Sequence, residues 1–413
     1  MSATSALEDA APRPGAPCRP APPLRVLTVS SLYPNAAMPN HGVFVENRLR
    51  RIVATGRVEA RVVAPIPWFG VDLGTPGPVP RAEERHGLAV THPRYLHLPK
   101  VGMTRQPQAM YRALARHVRG LLRAGHRFDL VDAHYFYPDG VAAVRLGREL
   151  GLPVVVTARG TDLNLIPRFR APRRMIVEAA HAAAGLVTVC AALEDVLVEL
   201  GVPGERVRVL RNGVDLDLFR PPADRAAARR ALGLDGPTLL SVGQLTERKG
   251  HHLVVDALAA LPAARLLIAG EGPERAALAR RARALGVAER VRFLGAVPHA
   301  ELAGVYGAAD VLVLASSREG WANVLLEAMA CGTPVVATDI WGTPEVVADP
   351  AAGRLVAERT PSALATAIAA LLAAPPERAA TRRYAEHFSW EATVAGQLAL
   401  FTAVAERVSE RRT

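Results

Sequence analysis

Cysteine is scarce in this chain of 413 residues, which contains only Cys18, Cys190 and Cys331. Their spacing matches no metal-binding motif, and three isolated thiols do not form a disulfide framework. A chain without a disulfide framework is typical of a reducing compartment. We therefore expect a cytoplasmic protein without a cysteine-bound metal.

Long apolar runs are also missing. No stretch of about 18 consecutive apolar residues occurs, so no transmembrane helix is predicted. Residues 1–22 are rich in Ala and Pro and lack the apolar core of a signal peptide. We expect these residues to form a disordered tail.

Lysine is nearly absent, because only Lys100 and Lys249 occur among 50 basic residues and the others are arginines. The net charge of +11 is also uneven: residues 1–187 hold 25 basic and 13 acidic residues, and the remainder hold 25 and 26. A basic first half fits an anionic membrane surface, a pyrophosphate-linked lipid or nucleic acid. The alternative is an arginine-rich chain whose cations are spread over solvated surfaces.

The membrane hypothesis has candidate contact residues in two stretches predicted to be loops. Trp68 and Phe69 lie in the Pro- and Gly-rich residues 65–86, and Lys100 to Arg105 lie in the basic residues 97–108. Aromatic and basic side chains together favour peripheral attachment to an anionic surface. The alternative is that both aromatic residues belong to the core.

The chain is most informative between Ser316 and Thr338. An apolar strand (311–315) is followed by a glycine-containing turn, a helix predicted over 324–331 and another apolar strand. Asn323 is the predicted N-cap of this helix. The free backbone N–H groups at the helix start then form an anion site at the carboxyl edge of the sheet; they belong to Val324, Leu325 and Leu326.

Two carboxylates, Glu319 and Glu327, flank this anion site with seven residues between them. Carboxylates would repel a bare anion, so we expect them to face the hydroxyl groups of a ligand that also carries phosphate. A nucleotide sugar has this composition. The alternative is two solvated glutamates, but the turn, helix and following strand favour the ligand site.

This stretch resembles the E-x7-E motif of retaining GT-B glycosyltransferases of family four, the glycosyl transferases group 1. The resemblance covers about residues 24–400 and is strongest in the second half. It implies an α/β fold with two Rossmann-like domains facing a cleft. The implied boundaries are an acceptor domain over 23–211, joined by 388–413 packing back on it, and a donor domain over 212–387.

The resemblance also implies roles for residues around the cleft. Glu319, with Gly320, would hold the donor sugar, and Glu327 the ribose. The backbone near Val297 would meet the nucleobase. A basic pair, Arg248 and Lys249, would bind the donor diphosphate. Two further elements would help to bind it: the turn after the first strand, with Gly42, and the start of the central helix, with Asn323, Val324 and Leu325.

Two further catalytic candidates follow strands of the first half. His134 comes directly after a predicted strand, and Asp162 lies in a Gly-x-Asp turn after the next one. Isolated polar residues at such places are often caps or structural hydrogen-bonding groups instead. Many relatives carry His before the glycine of this turn, but this chain has Arg159, so no role that requires an imidazole there transfers. Relatives also have Arg where this chain has Gln244.

The implied reaction is metal-independent transfer of a hexosyl group, with retention, from a nucleotide-diphosphate sugar to an acceptor, such as a lipid-linked or cell-surface glycan precursor. The sequence Asp215-Leu216-Asp217 resembles a metal motif of another transferase fold, but its Asn-Gly-Val-Asp context predicts an interdomain hinge. We therefore expect no metal, no cofactor and no nucleic-acid partner. Peripheral attachment to the inner face of the cell membrane remains an expectation.

Three other functions are alternatives for such a chain. A Rossmann oxidoreductase requires G-x-G-x-x-G after the first strand, and residues 30–42 lack it. A phosphorylase on the same scaffold requires a cofactor lysine in a suitable motif, which neither lysine provides. A non-catalytic module that binds nucleotide sugar or anionic lipid remains the main alternative.

Overall fold

The computed structural model describes residues 22–68, 79–97 and 102–410. The predicted tail is therefore outside the described residues, apart from residue 22. Phe69 and Lys100, two of the proposed membrane contacts, also lie outside them.

The first sheet contains eight strands, and all neighbours are parallel except the pair β4–β5. Its strands are short Val- and Leu-rich runs, typical of parallel strands covered on both faces. Their order is β10-β9-β8-β7-β1-β2-β5-β4, so the connections reverse direction between β1 and β7. The strands are β1 (Leu24–Val29), β2 (Val58–Val63), β4 (Ala82–Arg85), β5 (Leu88–Thr91), β7 (Leu130–His134), β8 (Val154–Thr157), β9 (Gly185–Thr188) and β10 (Val207–Val209); a separate pair consists of β3 (Ile66–Trp68) and β6 (Arg94–Leu96).

The described residues of the first half form six α-helices. α2 and α3 pack against each other, and the core between the helices and the sheet is built from fully buried Leu, Val, Met and Ala side chains. The helices are α1 (Val43–Val53), α2 (Gln106–Arg123), α3 (Val141–Leu150), α4 (Thr161–Asn164), α5 (Arg170–Ala182) and α6 (Ala191–Glu199).

The second sheet is entirely parallel, with the order β13-β12-β11-β14-β15-β16. Its connections reverse direction between β11 and β14. Its strands are β11 (Thr238–Val242), β12 (Arg265–Ala269), β13 (Val291–Gly295), β14 (Val311–Leu314), β15 (Val335–Thr338) and β16 (Gly353–Val356). Its helices are α7 (Arg225–Ala231), α8 (His251–Ala259), α9 (Arg275–Ala284), α10 (Leu302–Ala308), α11 (Asn323–Ala330), α12 (Thr343–Val346), α13 (Pro361–Ala373) and α14 (Arg378–Glu386).

The last helix, α15 (Glu391–Glu410), returns to the first sheet and packs against α1. Its side chains Leu398, Phe401 and Val404 join an apolar cluster with strand residues of the first sheet. Burial of one such side chain stabilises the fold by about 1.5–3 kcal/mol. The returning chain is also tied to the hinge, because the Val214 N–H donates to the Phe388 carbonyl at 2.9 Å.

The prediction that residues 65–86 and 97–108 are loops is wrong in part. β3 pairs with β6, β4 and β5 form a hairpin, and α2 already begins at Gln106. The hairpin turns at His86 and Gly87, which both have positive φ. Strand β4 was missed because Ala-Glu-Glu-Arg is a polar sequence at the edge of the sheet, where no apolar alternation marks it. In the described part of the chain, no helix is long and apolar enough to cross a membrane.

We predict that His251 makes the fold sensitive to acid. Burial lowers the pKa of His251 to about 4, and its Nδ1 lies 2.9 Å from the Ser241 hydroxyl. Between this pKa and the ordinary value near 6.5, only the unfolded chain binds the proton, so stability falls as the pH falls through that window. The full loss is about 3 kcal/mol. Urea unfolding at pH 7.5 and 4.5 should show a smaller loss for His251→Gln than for the wild type.

His181→Gln is the matched control, because the His181 side chain is exposed on α5. It should keep the wild-type dependence of the unfolding free energy on pH. Equal pH dependence in His251→Gln and in the wild type would contradict the assignment.

Candidate active site

A cavity of about 650 Å³ lies between the two sheets at their carboxyl edges. In open α/β sheets, ligands bind where the strand order reverses, and both reversal points border this cleft. The first domain contributes the segment after β1, including His41 and Phe44. The second contributes the loops after β11, β12 and β13 and the start of α11, including Gln244, Val297 and Val324.

Glu327 lines this cavity and is held from both sides. Its Oε1 accepts from His299 Nε2 at 2.9 Å, and its Oε2 accepts from the Tyr306 hydroxyl at 2.8 Å. Burial alone would lower the pKa of His299, but the hydrogen bond and charge of Glu327 outweigh it and raise that pKa. Each carboxylate oxygen still has a second lone pair, so Glu327 can accept a ligand hydroxyl without losing either partner.

The contacts of His299 and Tyr306 with Glu327 were not predicted from the sequence. His299 also lines the cavity and packs edge-to-face on Phe219, with ring centroids 5.1 Å apart. A signal was present, because His299 follows two residues after Val297 at the carboxyl end of β13. Tyr306 carried no such signal, since it lies fully buried in the apolar helix α10.

Glu319 and Lys249 form a largely buried ion pair, with Lys249 Nζ 2.7 Å from Glu319 Oε1. Arg248 Nη1 lies 3.7 Å from the same oxygen. Burial alone would raise the pKa of Glu319, but the charges of Lys249 and Arg248 outweigh it and hold that pKa below its usual value. The Lys249 chain packs beside Gly243, which lines the cavity. The two loops at the reversal point of the second sheet thus bring the predicted cation and carboxylate together.

The start of α11 differs from the prediction. Asn323 is not the N-cap: Ala322 occupies that position, and Asn323 is the first helical residue. Its Oδ1 instead accepts from Asn212 Nδ2 at 3.3 Å, so the amide is used across the hinge. The prediction of a free N–H at Leu325 is also wrong, because this group donates to the Ala322 carbonyl at 3.0 Å. Asn323 and Val324 line the cavity, whereas the Leu325 side chain is fully buried.

Gly320 lies at a close contact between the two domains. A Cβ at this position would lie 2.1 Å from the Arg159 carbonyl oxygen, so only glycine fits. Asn164 of α4 also donates from Nδ2 to the Glu319 carbonyl at 3.3 Å. The first domain therefore fixes the turn that carries Glu319.

Gly42 shapes the backbone at the start of α1, and its role in binding the donor diphosphate stays a prediction. It precedes α1 with φ +75°, and a Cβ there would lie 2.3 Å from the Leu32 carbonyl oxygen. Its neighbours His41 and Val43 line the cavity. Gly42 therefore sets the path of the backbone along the cleft.

Asp162 is fully buried and organises its own turn. Its carboxylate accepts from the backbone N–H groups of Phe136 and Gly160, both at 2.7 Å, and of Arg159 at 3.1 Å. Burial outweighs these bonds and raises the pKa of Asp162. Asp162 does not line the cavity. Its contacts are those of a positioning residue, and its catalytic role stays a prediction.

His134 is equally enclosed. Its Nδ1 accepts from Arg159 Nη2 at 2.7 Å, and its Nε2 lies 2.9 Å from Asp132 Oδ2. Burial lowers the pKa of His134, as does the charge of Arg159. Both ring nitrogens therefore face protein partners, and the catalytic role of His134 also stays a prediction.

Asp215 behaves as a hinge residue. Its Oδ1 accepts from the backbone N–H groups of Asp217 and Leu218, and its Oδ2 pairs with Arg51 of α1 at 2.7 Å. Among the described residues, no group of three or more His, Cys, Asp or Glu side chains is placed to hold a metal ion.

Comparisons with known proteins agree with this geometry. The model of glycosyl transferases group 1 matches residues 224–388, and that of glycosyltransferase family 4 matches residues 69–218. A D-inositol 3-phosphate glycosyltransferase of Segniliparus rotundus is 33% identical over 95% of this chain and 93% of its own length. A protein of Catenulispora acidiphila named D-inositol 3-phosphate glycosyltransferase 1 is 33% identical over 93% of this chain and 97% of its own.

Solved structures show the same fold at lower sequence identity. Sucrose-phosphate synthase from Thermosynechococcus elongatus aligns with a TM-score of 0.75 at 22% identity, covering 92% of this chain and 99% of that one. Anabaena HepE in complex with UDP and glucose aligns with a TM-score of 0.71 at 22% identity, covering 94% and 100%. The chain therefore has the GT-B fold of two Rossmann-like domains and belongs to glycosyltransferase family 4, the glycosyl transferases group 1.

Proposed function

We propose that this glycosyltransferase moves a hexosyl group, with retention, from a nucleotide-diphosphate sugar to a glycan or lipid-linked acceptor. The observation that carries the proposal is the ion pair of Glu319 and Lys249, 2.7 Å apart. Neither residue lines the cavity, but the Lys249 chain packs beside Gly243, which lines it together with Glu327. One cation and two carboxylates at one cleft match a ligand with a diphosphate in the middle and hydroxyl groups at both ends.

The donor would lie along the second domain. Val297 would meet the nucleobase, and Glu327 would accept a ribose hydroxyl. A cavity of about 650 Å³ is within the range of about 300–1,000 Å³ that small-molecule sites occupy. The neighbour HepE was crystallised with UDP-glucose, which supports a nucleotide sugar as the ligand class.

The diphosphate would lie at Lys249 and the start of α11. An ammonium group has three donors, and only one is directed at Glu319, so two remain for phosphate oxygens. During transfer the bond between the sugar C1 and the phosphate oxygen breaks, and the acceptor oxygen bonds to C1. The acceptor proton passes to the leaving phosphate. Lys249, Arg248 and the helix dipole would neutralise the departing charge, so the proposal requires no metal.

The acceptor proposal rests on the surface of the first domain. Trp68 and Leu96 are neighbours in the β3–β6 pair and are 46% and 52% exposed. Phe169, 47% exposed, is surrounded in sequence by exposed arginines at 168, 170, 173 and 174. Exposed aromatic and cationic groups on one domain support a lipid-linked acceptor at an anionic membrane. The relatives are named for D-inositol 3-phosphate, so a soluble phosphorylated polyol is the alternative acceptor.

The proposed donor site predicts that two substitutions affect the binding of nucleosides and nucleoside diphosphates differently. Lys249→Ala should lower the free energy of unfolding, because Glu319 loses its buried partner. Among folded molecules it should weaken binding of nucleoside diphosphates and leave the affinity for the free nucleoside unchanged, because the nucleoside carries no diphosphate. Glu327→Ala should weaken both by about 1–3 kcal/mol, because both ligands carry the ribose. Titration calorimetry measures these affinities. Glu247→Ala is the control, since Glu247 lies in the same turn as Lys249 with a mainly exposed side chain. Equal losses for nucleoside and diphosphate in Lys249→Ala would mean that Lys249 acts through folding.

The catalytic assignment predicts that Glu319→Gln lowers turnover more than donor affinity. The contact of Glu319 with the sugar should strengthen as the sugar becomes cationic in the transition state. The assay incubates the enzyme with a panel of nucleotide sugars and a lipid extract and measures release of free nucleotide. A variant with normal turnover and only a raised Michaelis constant would refute this role. If the wild type binds donor but releases no nucleotide with any acceptor, the non-catalytic module is favoured.

The membrane proposal predicts salt-sensitive binding of the full chain to anionic vesicles. Each basic residue near the surface contributes roughly 1 kcal/mol, so about four or five suffice for reversible attachment. Co-sedimentation with phosphatidylcholine vesicles, with and without phosphatidylglycerol, should show binding that needs the anionic lipid and fades at high salt. Phe169→Ala should weaken it, whereas Leu285→Ala, an exposed apolar side chain of the second domain, should not. Absence of binding at low salt would favour a soluble acceptor.

A further inference from the structure

Arg159 is a buried arginine whose side chain does not line the cavity. Its guanidinium points into the contact between the domains. Nη1 donates to Asn212 Oδ1 at 3.0 Å, and Nη2 donates to His134 Nδ1 at 2.7 Å. The guanidinium carbon lies 5.4 Å from the centroid of the Phe44 ring.

This placement is energetically costly. Arg159 is only 8% exposed, and its Nε has no partner among the described residues. Burial lowers the pKa of Arg159 well below its usual value, and the charge of Arg48 lowers it further, against the opposing charge of Asp132. Replacement of a whole buried charged cluster by apolar side chains is often neutral or stabilising, so the fold alone does not require an arginine here.

The guanidinium fixes the orientation of the side-chain amide of Asn212, a hinge residue. Because Asn212 Oδ1 accepts from Arg159, its Nδ2 must face away, and it donates to Asn323 Oδ1 at 3.3 Å. The carbonyl of Asn212 accepts from Trp321 Nε1 at 3.0 Å. One hinge residue is thus held by the first domain on one side and by the start of α11 on the other.

His134 prepares Arg159 for this role. A guanidinium cannot accept a hydrogen bond, so the contact requires the unprotonated Nδ1 of His134. Asp132 Oδ2 lies 2.9 Å from the other ring nitrogen. Neither Asp132 oxygen makes a hydrogen bond among the described residues, so only its negative charge favours a proton on that nitrogen. The chain of contacts runs from β7 to the cleft through Asp132, His134, Arg159, Asn212 and Asn323.

We propose that Arg159 is a positioning residue for the transfer reaction, which holds Asn212 and through it Asn323, and so fixes the closed arrangement of the two domains around the cleft. Its main chain supports the same arrangement, because the Arg159 carbonyl packs directly against Gly320. This role goes beyond the proposed donor and acceptor assignments and does not depend on which sugar is transferred. Lysine cannot replace Arg159 fully, since the planar guanidinium reaches two partners at fixed angles and an ammonium group does not.

The test compares Arg159→Met and Arg159→Lys with the wild type, with Arg119→Met as the control. Arg119 is an exposed arginine of α2 in the same domain, bonded to Glu149. We expect turnover, followed as nucleotide release, to fall at least tenfold in Arg159→Met and less in Arg159→Lys. The affinity for a nucleoside diphosphate should change less than threefold, with unchanged binding stoichiometry, because the nucleotide contacts the second domain. A loss of folded protein would instead lower the stoichiometry.

A second measurement needs no substrate. Small-angle X-ray scattering of the ligand-free enzyme should give a larger radius of gyration for Arg159→Met than for the wild type or Arg119→Met. A double-mutant cycle combines Arg159→Met with Asn212→Ala. Both substitutions remove the hydrogen bond between Arg159 and Asn212, so the double variant should have a turnover no more than about threefold below that of the worse single variant.

Unchanged scattering together with wild-type turnover in Arg159→Met would overturn the proposal, as would losses that simply multiply in the double variant. If Arg159→Met does not fold, Arg159→Lys retains the buried charge and carries the same test. A wild type that binds no nucleoside diphosphate would refute the donor site instead, while the scattering experiment would still decide the role of Arg159.

Discussion

The ion pair between Lys249 and Glu319 is the contact on which the organisation of the cleft depends. A buried carboxylate without its cation costs about 3–5 kcal/mol, so the loops after β11 and β14 must lie side by side for either charge to be buried. Those loops flank the reversal point of the second sheet, where a parallel sheet opens a crevice. The first domain closes over the same turn through Asn164 and the Arg159 carbonyl. The ion pair therefore lies at the reversal point of the second sheet, and the contact with the first domain holds the same turn in place.

The two carboxylates, Glu319 and Glu327, have different surroundings, which suit different roles. Glu319 is neutralised by full positive charges, which keep its pKa low and make it an anion at any physiological pH. Glu327 accepts from an imidazole and a phenol, whose hydrogen bonds fix its orientation while its remaining lone pairs face the cavity. The first arrangement suits a site where charge changes during reaction, and the second suits recognition of hydroxyl groups that do not react.

Much of the architecture was predictable because it rests on local signals. Apolar runs ending in glycine turns marked the parallel strands, and the spacing of Glu319 and Glu327 marked the site. The errors arose where a tertiary contact overrides a local preference. Asn323 is a good N-cap by composition, but Asn212 competes for its side chain across the hinge. Strand β4 is polar because it lies at a sheet edge, and Tyr306 reaches Glu327 through a contact that no sequence spacing shows.

The arginines of the first half fall into a buried group and an exposed group, which a count of charges cannot separate. Arg48 is fully buried, donates to the Leu210 carbonyl, and has its pKa lowered to about 10 by burial. Together with Arg159 it belongs to the interior of the domain contact, so neither adds to a surface field. The arginines around Phe169 remain in water, where their charges act on anions. The basic half of the sequence is therefore partly the inside of a hinge and partly an outer face, and only the second part can attract an anionic surface.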